Sequence, residues 1–144
     1  MKRTSLITGL CAGLLVAMGA CGGNEYQLIF AIDASFQGPH TGHTIAVAVV
    51  RTSDGAVLDE QGGTVSGTAD PAFTFTWLDI LEEDEAYQIH YWIDSNFSGG
   101  TAGVCDFPED HQWSVAIPTV AADVTVTEAH DAGTISDVCS TFAS

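Results

Sequence analysis

From Tyr26 onward, apolar and polar residues alternate with a period of two along most of the chain. In "YQLIFAID" the residues Tyr26, Leu28, Phe30 and Ile32 fall on one face. Ile45, Val47 and Val49 do so in "TIAVAVVR", and Phe73, Phe75 and Trp77 in "AFTFTWL". "YQIHYWID" sets Tyr87, Ile89, Tyr91 and Ile93 against Gln88, His90, Trp92 and Asp94. "QWSVAI" and "ADVTVTEA" complete the set, with Trp113, Val115, Ile117, Val124 and Val126 inward. Such alternation marks half-buried strands. The stretch from Val57 to Gly67 reads as a weaker strand, bulged at Gly62–Gly63. Turn residues separate the runs at "SDG" (53–55), "ADP" (69–71) and "IPTVA" (117–121). No window longer than one or two turns carries helical periodicity.

Seven short strands at this spacing predict an all-β chain folded as one antiparallel β-sandwich. The stretch "WLDILEEDEAYQIHYWID" resembles the strand, leucine-bearing turn and Tyr-x-hydrophobic strand of transthyretin-like and immunoglobulin-like bacterial modules. That resemblance implies a fold and carries no activity.

The first 20 residues follow another logic. Lys2 and Arg3 precede the apolar run "LITGLCAGLLVA" (6–17), which is too short to span a bilayer and has the form of an export signal. The following "MGAC" (18–21) resembles the lipobox of bacterial lipoproteins, with Met18 in place of the usual Leu. The resemblance implies a signal peptide over 1–20, a diacylated Cys21 as mature N-terminus, a tether over 21–25 and a domain over 26–144. An ordinary cleaved signal is the alternative. Cys11 competes poorly as the lipid site, because Leu10 stands where a small residue is required. Gly22 is not the aspartate that favours inner-membrane retention, so the resemblance implies an outer-membrane anchor. With Cys11 discarded and Cys21 acylated, Cys105 and Cys139 remain. In an oxidising compartment they are expected to pair.

Charge narrows the partners. All 19 acidic residues lie beyond position 20, against Arg51 as the only Lys or Arg there, for a formal charge of −18. Such a surface repels nucleic acid and anionic lipid and favours cations, basic partners or high salt. Seven Phe, three Trp and three Tyr supply ample core, which excludes a disordered tail.

Strand parity gives the most informative inference about function. If strands alternate up and down, the segments 34–43, 95–111 and beyond 128 share one pole. They carry His40 and His43, His111, and His130. Imidazoles from separate loops suit Zn, Cu or Ni, so these loop histidines are candidate metal ligands. His43, Asp110 and Asp131 are candidate accessories, as further ligands or as hydrogen-bond partners of the imidazoles. Pro39–His40, Asn96, Gly99, Asp106, Pro108, Asp110–His111, Trp113 and His130–Asp131 together resemble a pattern in small secreted bacterial domains of no established activity. That resemblance favours His40, His111 and His130 over His43. His90 lies mid-strand on the face opposite Tyr91 and reads as a packed or surface residue.

A calcium alternative uses Asp94, Asn96, Ser98 and Asp106. Its weakness is Cys105 at the position where a calcium loop needs a bidentate Glu. A glycine-rich turn braced by Asx hydrogen bonds is the competing account. No G-x-S-x-G elbow, paired-acid signature or phosphate loop is present, so a metal-assisted hydrolase ranks below a non-catalytic binding or structural role. An envelope-structure or protein–protein module with idle histidines is the rival from another class. For it Trp92 is the outward aromatic.

Overall fold

A computed structural model describes residues 23–97, 99–132 and 135–142. It contains seven strands: β1 (Glu25–Ile32), β2 (Thr44–Arg51), β3 (Val57–Thr64), β4 (Phe73–Glu82), β5 (Tyr87–Ile93), β6 (His111–Ile117) and β7 (Val124–Glu128). Two one-turn helices accompany them, α1 (Gln37–His40) and α2 (Cys139–Phe142). A three-stranded sheet of order β4-β1-β7 packs on a four-stranded sheet of order β3-β2-β5-β6. This is the expected β-sandwich, and all seven predicted strands form.

The alternation explains the packing directly, because every second residue of a strand points to the same face. Leu28, Phe30 and Ile32 of β1, Val47 and Val49 of β2, and Ile89, Tyr91 and Ile93 of β5 are fully buried between the sheets. The rings of Phe30 and Tyr91 meet across the interface at 5.0 Å. Burying such side chains is worth roughly 1.5–3 kcal/mol each. The core therefore rests on the same residues that set the period-two pattern.

Three expectations need correction. The sandwich is not wholly antiparallel: β1 pairs parallel with β7, from Leu28↔Val124 to Ile32↔Glu128. Up-and-down alternation survives this, since two odd-numbered strands run the same way and are parallel when they become neighbours. Gly62–Gly63 forms no bulge. Their pairing with Ala46 and Ile45 is regular, and the β2–β3 irregularity lies between Val49 and Val50. Gly63 instead admits the Phe73 ring, whose Cε2 would lie 2.6 Å from an added Cβ. Trp92 is not an outward aromatic either. It is only 6 % exposed, with the Phe142 ring of α2 packed at 6.2 Å.

Cys105 and Cys139 form the expected disulfide, with Cα atoms 5.3 Å apart. It ties the segment between β5 and β6 to α2. Cys21 and the signal peptide lie outside the described residues. Among those described, no helix is long and apolar enough to cross a membrane.

Candidate metal centre

Each of the three histidines extends a pattern already present in the backbone. His111 opens β6 in the inward row that continues through Trp113, Val115 and Ile117. His130 prolongs the row of Val124, Val126 and Glu128 two residues past the last. His40 lies one helical turn after Phe36, and both side chains are fully buried. The local fold fixes where these rows end. Asp33 caps the turn after β1 by accepting a hydrogen bond from the Ser35 N–H at 2.8 Å, and its own N–H donates to the Glu128 carbonyl at 2.9 Å. The Ser35 hydroxyl then accepts the His130 N–H at 2.8 Å. One capped turn thus sets His40 and His130 side by side.

The rings converge. One ligand nitrogen from each of His40, His111 and His130 lies within 4.8 Å of the other two. His111 Nδ1 and His40 Nε2 are 2.9 Å apart, one donating to the other. Ring centroids stand 4.8 Å apart for His40–His111, 4.9 Å for His40–His130 and 5.5 Å for His111–His130. Imidazole nitrogens bound to one ion at about 2.0–2.1 Å lie about 3–4 Å from each other, so loading asks the farthest pair to close by about 1–2 Å. His40 Nδ1 and His130 Nε2 are buried without a hydrogen-bond partner, an arrangement that costs free energy unless something engages such atoms.

The surroundings are aromatic. Phe36 packs on His130 at 5.2 Å and on His40 at 6.0 Å. Phe97 lies 4.7 Å from His111, and Trp113 lies 5.2 Å from it. Burial, reinforced by the neighbouring His111, His130 and His43 rings, pushes the His40 imidazole down to about 3. Burial, then His130, also lowers His111, with Asp110 opposing. At neutral pH both rings are therefore neutral, the form that binds a metal.

The accessory candidates lie outside the converging set. His43 packs edge-on to His40 at 5.8 Å and lies outside the converging trio. Asp110 is fully buried, yet its carboxylate is engaged by backbone. Oδ1 accepts from Ser95 and Asn96 N–H at 2.9 and 3.0 Å, and Oδ2 from Asp106 N–H at 3.1 Å. It pins the loop between β5 and β6 and so positions His111, the next residue. Asp131 contributes its carbonyl, which accepts the Trp113 indole N–H at 3.2 Å. In the calcium alternative, Asp94 accepts from the Gly103 N–H and the Asn96 amide, and Asp106 from the Thr101 N–H. These are the hydrogen bonds of a braced glycine-rich turn. Ser98 lies outside the described residues.

Sequence reasoning missed three supporting residues. Phe97 and Phe36 line the site, although only the i, i+4 spacing of Phe36 and His40 hinted at it. Gln112 is fully buried, with its amide donating to the Asp106 carbonyl at 3.1 Å and its Oε1 accepting the Val138 N–H at 3.0 Å. It joins the His111 loop to the C-terminal segment. His90 is half-buried, bonded to Thr141 at 2.7 Å and Gln88 at 2.9 Å, and takes no part in the site.

No family model, curated protein or solved structure matches this chain.

Proposed function

We propose that the protein is an exported, lipid-anchored β-sandwich that holds a transition-metal ion, zinc or copper, at His40, His111 and His130 as a binding rather than catalytic protein. The observation that carries this reading is the convergence of three imidazole nitrogens within 4.8 Å, from three segments far apart in sequence. Neutral buried imidazoles match the chemistry of both metals, and a formal charge of −18 beyond the signal draws cations in. The anchor rests on the lipobox at 18–21. β1 begins four residues after Cys21 and runs about 26 Å towards the histidine pole at the rise of a strand. A metal there is carried on the far side of the domain from its tether, in the periplasm or outside the cell.

Calorimetric titration tests the reading. The protein, purified without a polyhistidine tag, is titrated with Zn(II), Cu(II) and Ca(II) beside its His111→Ala variant. Stoichiometric zinc or copper binding that disappears in the variant supports the assignment. Absence of both overturns it, and calcium binding that ignores the substitution moves attention to the Asp94 turn. The rival reading is a protein-contacting module. It draws on Phe97, Val104 and Phe107, three exposed apolar side chains carried by the single loop between β5 and β6.

A further inference from the structure

Resting on the metal assignment, we infer that an ion held by His40, His111 and His130 keeps an exchangeable coordination position, which takes water or a small anion such as hydroxide, azide or cyanide. The protein supplies three converging donors and packs aromatic rings around them. Among the described residues, no carboxylate, thiolate or fourth imidazole joins the converging set. Cys105 and Cys139, the cysteines of the described chain, are consumed in their disulfide. The Asp110 oxygens are taken by three backbone N–H groups.

What stands around the imidazoles is carbon: Phe36 against His40 and His130, Phe97 against His40 and His111, and Trp113 against all three. The indole N–H of Trp113 is a donor only and is already bonded to the Asp131 carbonyl. Zinc and copper both require more than three ligands in their common geometries, and closed structural zinc sites draw all four from protein. A three-imidazole set therefore belongs with the open sites, whose remaining position is filled from solution. Its aromatic walls restrict the entrant to small ligands. Among the described residues, His43 is a neighbour that could close the site, with its Nδ1 buried and unpartnered. Its ring, however, stands 5.8 Å from His40 and outside the trio. Exchange itself is simple: the anion's lone pair replaces that of a bound water, and no electron is transferred.

The test separates this inference from the one beneath it. The full chain, free of a polyhistidine tag, is loaded with Cu(II) and its copper content measured. Azide is then titrated while absorption and electron paramagnetic resonance spectra are recorded. The expected result is an azide-to-copper charge-transfer band that saturates at one azide per copper, persists in His43→Ala, and is lost with the metal in His111→Ala. Failure to bind copper or zinc overturns the metal assignment and this inference together. Copper bound with no azide response overturns the open position alone. A response confined to His43→Ala also overturns it, by identifying His43 as the closing ligand.

Discussion

Lowering the pH tests the burial of His40 without reference to any metal. Its imidazole is fully enclosed, and its pKa falls from 6.5 to about 3 on folding. The folded state therefore resists a proton that the unfolded chain accepts. By linkage, the stability contributed by neutral His40 is complete above about pH 6.5 and is lost as pH falls towards 3. Within that window each pH unit removes up to about 1.4 kcal/mol, so His40 alone costs about 2 kcal/mol between pH 7.5 and pH 5. That figure depends little on the folded pKa, provided it stays well below 5. The assay is urea denaturation of chelator-treated protein followed by tryptophan fluorescence, for the parent and for His40→Leu. Leucine is similar in size, does not titrate, and suits neighbours such as Phe36 and Trp113. With a urea slope of about 1–3 kcal/mol per molar, the parent midpoint should fall about 1 M further than the variant's over this range. His111 and His90, both lowered by burial, act in the same direction but remain in the two proteins. If the two midpoints fall in parallel, His40 is protonated without cost and its burial has been misjudged.

Three further substitutions probe the scaffold. Replacing Cys105 and Cys139 together by Ser opens a loop with a sequence separation of 34; it should cost about 3–4 kcal/mol by the chain-entropy account, read as a lowered thermal midpoint, and should increase solvent quenching of Trp92 as α2 loosens. Asp110→Ala orphans the N–H groups of Ser95, Asn96 and Asp106, for a loss of about 3 kcal/mol or more; hydrogen exchange should quicken at those amides first, and metal affinity should fall with the displaced His111. Gly63→Ala drives a methyl into the Phe73 ring at 2.6 Å and should cost about 1–3 kcal/mol through overpacking, whereas Gly63→Ala combined with Phe73→Leu should recover part of it in the same denaturation assay.

The fold was legible because the period-two pattern is strict on the faces that meet. Leu28, Phe30 and Ile32 cannot be shifted by one residue without exposing every one of them, so register and burial are set together. Less could be read where one residue type serves two purposes. A glycine pair inside a strand marks either a bulge or a close approach, and only the position of the Phe73 ring decides for the second. Trp92 reads as outward from its strand alone. What covers it is the segment 135–142, which carries no periodic pattern and is placed by the disulfide, by Gln112 and by His90.

The site was legible for a reason of topology. Alternating strands send the segments after β1, β5 and β7 to one pole, whatever sheet each strand joins, and the histidines follow. Parity could identify the pole but not the ring positions. Those depend on the Asp33 cap, on the Ser35 bond to His130, and on the hold of Asp110 over the loop that delivers His111. Sequence marked Asp110 as a neighbour of His111 but could not show that its carboxylate would hold backbone N–H groups instead of an imidazole or an ion. A carboxylate becomes structural only when three backbone N–H groups from a folded loop turn towards it. The histidines therefore depend on a loop whose buried Asp110 carboxylate is spent on backbone N–H groups, while His40 Nδ1 and His130 Nε2 are buried without a hydrogen-bond partner.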